Sequence, residues 1–276
     1  MTVVAAGAVV AVLLMSGGRA PQPGGSSTSG TAAPAAQAAA VKWVVSQVNP
    51  KTTVACDQAT CAALVAHGYS PANLRKLTSA SGLAGSGVVV VTPAAQHLFG
   101  SSLATAWAPA ALATFGSGHS TVSVRIVAPK GAAAWRKEAR KDQAERKALE
   151  TALTTQANTI TASGPARQNL QAGRVDGRLI EAIADAASAE SVDIVEFGNV
   201  GTGASAYVPL RYADLAASDP AATMGVPAYV RAVRAGMDGG PGPRPDRTEL
   251  LTLPGGQLVL RVEFLAPSSF GVLTNR

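Results

Sequence analysis

The pattern of hydrophobic and polar positions begins with an uncharged apolar run from Val3 to Met15. As a helix this run would be about 20 Å long, which is short for a hydrocarbon core of roughly 30 Å. It is typical of the apolar part of a signal peptide or, extended through Gly18, of a marginal transmembrane helix. We predict a signal or transmembrane segment over residues 1–18. A buried core helix is the alternative, which the low-complexity stretch that follows disfavours.

Residues 19–40 are dominated by Pro, Gly, Ser, Thr and Ala and contain no acidic residue. Such a composition offers almost nothing to bury, and it predicts a disordered linker that tethers a folded part to a membrane. Small residues at Gly18–Ala20 and at Ala38–Ala40 are both compatible with cleavage of the leader, and the sequence leaves this choice open.

Helical and strand periodicities alternate over residues 41–130 and predict a first α/β lobe. The stretch from Ala39 to Val48 has its apolar residues at helical spacing. Residues 87–92 (GVVVVT) form a continuous apolar run, which indicates a strand buried on both faces. Residues 121–127 (TVSVRIV) alternate as a strand does.

Residues 131–156 change character, because charged residues become dense from Ala132 to Leu153. A thin apolar stripe at helical spacing consists of Trp135, Ala139, Leu149 and Leu153. We therefore predict an exposed, charged helix that joins two lobes.

A second α/β lobe is predicted over residues 157–270. Its clearest elements are a helix from Gly177 to Ala189, a strand from Val192 to Phe197, and a hairpin that pairs Glu249–Leu253 with Gln257–Phe264. The predicted order of elements is β-α-α-β-loop-α-β-β. The chain is therefore expected to have an α/β (α+β) fold of two small sandwich lobes.

Charge is distributed unevenly along the 276 residues, whose net charge is +6. Asp57 is the only acidic residue before Glu138. The first lobe alone therefore cannot form a paired-carboxylate glycosidase site or a hard-metal site. Nucleic acid is an unexpected partner, because no basic cluster is interleaved with aromatic residues.

Cys56 and Cys61 are the two cysteines of the chain. In an oxidising compartment they would form a disulfide that pins a helix to the preceding strand. A redox pair usually has two intervening residues rather than four, and a zinc site would need two more ligands. Both remain alternatives to the disulfide.

Candidate catalytic or cofactor motifs are weak. Gly198, Gly201 and Gly203 follow a strand but precede no clear helix, as a dinucleotide-binding loop would require. Ser117–Ser120 places serines beside His119, which indicates a turn more than a triad. We predict no cofactor and no metal.

Four carboxylates of the second half could still converge in the fold and form a hydrolase site: Asp176, Asp193, Glu196 and Asp214.

The folded part resembles membrane-anchored envelope proteins of actinobacteria. The residues that carry this resemblance are Val54–Asp57, Cys61–Leu64, the run VVVVTPA, the run TFGSG and the closing GGQLVLRVEFLAPS. The resemblance implies an extracytoplasmic location, and that group carries no established chemistry.

Residues 175–264 are also similar to the OmpA-like peptidoglycan-binding domain. The similarity rests on a helix and a strand followed by Gly198–Gly201 and Leu210–Asp214. In that family an Asp and an Arg hold the diaminopimelate of the stem peptide. Asn199 stands near the Asp position of that family and Arg211 near the Arg position, so the resemblance implies that these two residues bind wall polymer.

Together these observations predict a membrane-tethered, extracytoplasmic protein with a non-enzymatic recognition or structural role. Its N-terminal segment would contact the membrane, as a single span or as a cleaved leader of a secreted protein. Its partner would be a cell-wall polymer or another envelope protein. Binding of peptidoglycan through the second lobe and hydrolysis at an unrecognised site are the alternatives.

Overall fold

A computed structural model describes residues 29–154, 159–217 and 225–270. These residues form two five-stranded mixed sheets, each packed against helices. This architecture confirms the predicted α/β fold with two lobes. The predicted leader, residues 1–18, lies outside the described residues. In the described ranges every helix is too short or too polar to span a bilayer.

Among the described residues, the first lobe contains five strands and three α-helices. The strands are β1 (Val54–Cys56), β2 (Leu74–Lys76), β3 (Val88–Val91), β4 (Ala110–Phe115) and β5 (Val122–Ile126), and the helices are α1 (Ser29–Gln47), α2 (Gln58–Ala66) and α3 (Pro93–Phe99). The strand order is β2-β1-β3-β5-β4. β1 is parallel to β2 and β3, whereas β5 is antiparallel to β3 and β4.

Strand β3 is buried on both faces, as its continuous apolar run predicted. Val88 and Val90 pack in a core with residues of α1 and α2. Val89 and Val91 pack on the other face with Ala95 of α3. Since side chains alternate across a strand, helices on both faces of the sheet account for a run without polar positions.

The start of α2 is fixed by a cap and by a covalent bond. The Asp57 carboxylate accepts a hydrogen bond from the Thr60 amide at 2.8 Å and another from the Thr92 hydroxyl. A disulfide joins Cys56 at the end of β1 to Cys61 in α2, which confirms the predicted pairing. A disulfide that closes so short a loop stabilises a fold by roughly 2 kcal/mol on the entropy model.

Helix α1 begins at Ser29, ten residues before the start predicted at Ala39. Residues 29–40 of the predicted linker are therefore helical, and Ala36 and Ala40 are buried in the first-lobe core. Alanine has the highest helix propensity but gives a weak hydrophobic signal, so its pattern is hard to distinguish from low complexity. Residues 19–28 of the predicted linker lie outside the described ranges.

The second lobe contains five strands and three helices. The strands are β6 (Ile160–Ala162), β7 (Val192–Gly198), β8 (Tyr212–Ala217), β9 (Arg247–Thr252) and β10 (Leu258–Glu263), and the helices are α5 (Gly164–Gln171), α6 (Gly177–Ala189) and α7 (Val226–Gly239). The strand order is β6-β7-β8-β10-β9. Side chains of all three helices pack against one face of this sheet.

Strand β8 was missed by the sequence interpretation, which predicted a loop there. Its sequence, YADLAA, contains three alanines and an aspartate, which are depleted in strands. It is nevertheless the central strand of the second sheet, because it is antiparallel to both β7 and β10. Tertiary pairing thus outweighs its local propensity.

Helix α4 (Ala132–Thr154) joins the lobes and contributes to both cores. Trp135 and Ala139 belong to the first core, and Leu153 belongs to the second. The predicted exposed helix is wrong in one respect, because Asp142 and Arg146 are buried as an ion pair. The burial of this helix arises from packing on both lobes, which its charged sequence does not reveal.

The glycine-rich loop after β7 docks the second lobe onto the first. Thr114 of β4 donates its amide to Thr202 O at 2.8 Å, and the indole Nε1 of Trp43 donates to Val200 O at 2.8 Å. The loop backbone approaches the first lobe closely at Gly201 and Gly203, which have φ angles of +95° and +74°. These glycines therefore serve the contact between lobes.

The segment after β10 also crosses between the lobes. The Ala266 amide donates to Gln47 O and the Asn49 amide donates to Ala266 O, each at 2.8 Å. Further along, the Phe270 ring lies 5.4 Å from the Trp135 ring, centroid to centroid. Together with α4 and the glycine-rich loop, this segment holds the two lobes against one another.

Candidate functional site

The face of the second sheet opposite its helices carries a row of charged residues. Residues 213, 215, 260 and 262 point into the helix-covered core, so their neighbours in sequence point to the other face. That face carries Glu196, Tyr212, Asp214, Arg247, Glu249, Arg261 and Glu263. Arg261 lies between Asp214 and Glu249, and Arg247 lies beside Glu263, so that the face has mixed charge.

Arg261 organises the middle of this face. Its guanidinium donates two hydrogen bonds to the Asp214 carboxylate, both at 2.7 Å, and lies 3.9 Å from the centroid of the Tyr212 ring. The hydrogen bonds from Arg261 to Asp214 raise the pKa of Arg261. Burial, aided by the nearby Glu196 carboxylate, raises the pKa of Tyr212 to about 12. Arg261 is therefore a fixed cation on a rigid strand.

A cleft of about 480 Å³ lies where this charged face meets the end of α1. We name it the interlobe cleft, and it is lined by Gln47, Val200, Arg247, Thr248, Glu249, Arg261 and Glu263. The volume is within the range of small-molecule sites. Two arginines and two glutamates line it, so the cleft is suited to a ligand that carries both charges.

Gln47 provides a polar group at the base of the interlobe cleft. Its side chain is 4% exposed, and its Oε1 has no hydrogen-bond partner among the described residues. A buried amide oxygen without a partner is costly. Because this oxygen is inaccessible, the charged side chains provide the polar lining of the cleft.

Asn199 and Arg211, the two residues implied by the OmpA-like resemblance, are adjacent in the fold. The Arg211 amide donates to the Asn199 side-chain oxygen at 3.2 Å. Neither residue is among those that line the interlobe cleft. Arg211 directly precedes strand β8 rather than a helix.

The Arg211 side chain is buried at the junction of the lobes. It is 1% exposed, and its Cζ lies 5.8 Å from the Trp43 ring centroid. None of its guanidinium nitrogens has a hydrogen-bond partner within the described ranges. Burial lowers the pKa of Arg211 to about 10, although the charges of Asp176 and Glu263 act in the opposite direction. Arg211 is therefore placed to fill the junction, and its burial prevents surface contact with a polymer.

We expect Arg211→Met to raise the free energy of unfolding by about 2 kcal/mol, because an apolar side chain of similar length removes the cost of burying a charge without hydrogen bonds. Urea denaturation of the two proteins measures the difference. Arg211→Lys is the control that keeps the charge, and it should give no gain. A loss of stability in Arg211→Met would show that the guanidinium is compensated in the native fold.

The four carboxylates considered for a hydrolase site do not converge as a group. Glu196 and Asp214 lie together, because both contact Arg261. Asp193 accepts a hydrogen bond from the Thr161 hydroxyl at 2.8 Å. Asp176 caps helix α6 at the junction of the lobes.

Within the described residues no three His, Cys, Asp or Glu side chains are close enough together to hold a metal ion. Comparison of the chain with protein-family models, with curated proteins and with solved structures gives no match. The candidate site therefore rests on the geometry of this chain.

Sequence interpretation did not find the residues that line the interlobe cleft. One signal could have found them: in the closing hairpin, Arg247 and Glu249 alternate with Thr248, and Arg261 and Glu263 alternate with apolar residues. Charged residues at every second position of a strand indicate a polar sheet face. The position of α1 over that face was not available from the pattern.

Proposed function

We propose that this protein is an extracytoplasmic recognition protein without catalytic activity, and that its interlobe cleft binds a polar ligand carrying both charges. The observation that carries this proposal is the mixed-charge lining of a cleft of about 480 Å³. Arg247 and Glu249 present opposite charges on β9, and Arg261 and Glu263 do so on β10. Arg261 is paired with Asp214 and Arg247 lies 4.0 Å from Glu263, so a ligand with neighbouring ammonium and carboxylate groups would add to these contacts.

The proposed location rests on two features of the chain. The apolar run from Val3 to Met15 would target or tether the protein. The disulfide between Cys56 and Cys61 is typical of proteins that fold in an oxidising environment. We therefore propose that the lobes lie outside the membrane, held by the N-terminal segment or released after its cleavage.

Peptidoglycan is the ligand that we favour as a specific candidate. Its stem peptides carry amines and carboxylates close together, which is the charge pattern that the interlobe cleft would recognise. Hydrolysis at Asp214 and Glu196, the two carboxylates of the predicted set that lie together, is less favoured, since a glycosidase needs two available carboxylates. Both oxygens of Asp214 accept hydrogen bonds from Arg261, and the neighbouring Glu196 also contacts Arg261. This arrangement favours binding over catalysis.

The proposal is tested by sedimentation of the full chain, in a detergent with a neutral headgroup, with purified peptidoglycan at low and at moderate salt. The cleft variant is Arg247→Ala/Glu249→Ala, which removes one charge of each sign from exposed positions. We expect wild-type protein to be retained at both salt concentrations. The variant should bind about tenfold more weakly, because charge-assisted hydrogen bonds are lost.

The matched control is Lys141→Ala/Glu145→Ala, which removes an ion pair from the surface of α4 and leaves the net charge unchanged. It should bind as the wild type does. Retention that disappears at moderate salt would indicate only a basic surface. Equal losses in the cleft variant and the control would contradict a role for the interlobe cleft.

A further inference from the structure

A second cleft, of about 510 Å³, lies on the first lobe and is separate from the interlobe cleft. Its floor is the face of the first sheet opposite α1. Val122 and Val124 of β5 pack towards α1, so Ser123 and Arg125 point to the opposite face. The register places Ser123 beside Val91 of β3 and beside Thr114 of β4.

The walls of this first-lobe cleft come from two local elements. Pro93, Gln96 and His97 come from α3, and Gly118, His119 and Thr121 come from the turn between β4 and β5. The two histidines therefore reach the cleft from different elements, around a floor that contains a serine and an arginine. Both histidines are exposed, and neither side chain makes a hydrogen bond to another described residue.

Arg125 is held rigidly in the floor. Its Nε donates to Ala108 O at 2.6 Å and its Nη2 donates to Pro109 O at 3.1 Å. Burial lowers the pKa of Arg125. Arg178 and Arg261 each pair with a carboxylate, but in the described part of the chain no carboxylate lies within salt-bridge distance of Arg125. A partly desolvated guanidinium of this kind is stabilised by an anion.

No acidic side chain lines the first-lobe cleft in the parts of the chain that the structure describes. Asp57 is the only acidic residue before Glu138, and its two oxygens already accept hydrogen bonds from Thr60 and Thr92. The cleft is therefore a site of positive charge with no internal counter-ion, and a negatively charged ligand would meet no repulsion in it.

We propose that the first-lobe cleft binds a phosphate ester, whose oxygens accept hydrogen bonds from Arg125, Ser123, His97 and His119. A phosphate group can accept from donors that converge from three sides, and the guanidinium fork matches its oxygens. The volume exceeds what a bare ion fills and leaves room for the esterified group. The hydroxyls of Thr114 and Thr121 donate to Gly203 O and Gly118 O, so they shape the cleft.

Calorimetric titration of the full chain in a neutral detergent tests this site, with inorganic phosphate and glycerol 3-phosphate as probes. We expect saturable binding of the ester. The variant His97→Gln/His119→Gln, which changes only exposed side chains, should weaken binding about tenfold, and Ser123→Ala should weaken it further. His67→Gln is the matched control, because this third histidine is exposed at the end of α2 and lies outside the cleft.

Competition identifies the source of the phosphate. Displacement by vesicles of phosphatidylglycerol, but not of phosphatidylcholine, would assign the site to a lipid headgroup, whereas displacement only by the soluble ester would assign it to a soluble or polymeric phosphate. Either result supports the site. Absence of saturable binding, or equal binding by the wild type and the cleft variants, would overturn it.

The peptidoglycan proposal can fail independently. Arg247→Ala/Glu249→Ala should leave phosphate binding unchanged.

Discussion

Replacing Asp176 with asparagine is expected to lower the free energy of unfolding by about 3–5 kcal/mol, because it breaks a buried ion pair and leaves one charge without its partner. The Asp176 carboxylate accepts hydrogen bonds from the Arg178 guanidinium at 2.8 and 3.1 Å, from the Arg178 amide and from the Ser268 hydroxyl. The asparagine side chain could still cap α6. The loss of unfolding free energy therefore reports the removal of the negative charge. Urea denaturation at neutral pH measures this loss.

The same carboxylate should make stability depend on pH. Burial alone would raise the pKa of Asp176, but the hydrogen bonds and charge of Arg178, together with Ser268, hold it below its usual range. A pKa lowered on folding gives stabilisation that is fully present above the unfolded value of about 3.9 and is lost as the pH falls towards the folded value. We expect Asp176→Asn to lose this part of the acid dependence.

Asp193→Asn is the matched control, because Asp193 is only partly buried and accepts a hydrogen bond from the Thr161 hydroxyl. It should change stability by less than about 0.5 kcal/mol. The double variant Asp176→Asn/Arg178→Met should lose less unfolding free energy than the two single variants lose together, since it removes both charges of the pair. Strict additivity would contradict a coupled pair.

Features that depend on neighbours in sequence could be predicted from the sequence. The N-caps formed by Asp57 and Asp176 are of this kind, because a cap needs only a polar side chain two or three residues before the amide that it accepts from. The disulfide between Cys56 and Cys61 and the closing hairpin are confirmed for the same reason. In each case the interacting groups are brought together by the local chain.

Features that depend on the packing of distant segments could not be predicted. The pairing of Asp214 with Arg261 requires β8 and β10 to be neighbours, and the sequence showed no strand at β8. The burial of Arg211 requires the lobes to meet at Trp43. The interlobe cleft itself requires the end of α1 to lie over the hairpin. All three features depend on contacts between segments that are distant in sequence, so the sequence could predict the fold class of the chain but not the position of the cleft.

The glycine-rich loop after β7 illustrates the same limit. Glycines after a strand first suggest a phosphate-binding loop, but here they allow close approach to the first lobe. Val200 contributes both to this contact and to the lining of the interlobe cleft. The geometry of the cleft therefore depends on how firmly the loop docks.

Replacing Gly201 with alanine is expected to lower the free energy of unfolding by about 3 kcal/mol. Gly201 has a φ of +95°, a conformation that costs a residue with a Cβ about 1–2 kcal/mol. Its added Cβ would lie 2.6 Å from Trp43 Nε1, so the buried indole would have to move and lose its hydrogen bond to Val200 O. Urea denaturation gives the total loss.

Gly255→Ala separates backbone strain from the contact between lobes. Gly255 has a φ of +109°, but a Cβ at this position would meet no atom within 4 Å. In this control the free energy of unfolding should fall only by the cost of the backbone conformation, about 1–2 kcal/mol. The additional loss of unfolding free energy in Gly201→Ala, relative to Gly255→Ala, measures the docking of the loop. Combining Gly201→Ala with Trp43→Phe should reduce this additional loss, because Trp43→Phe removes Nε1. Equal losses at the two glycines would mean that the loop can move away from Trp43 without cost, and the interlobe cleft would then be adjustable rather than preformed.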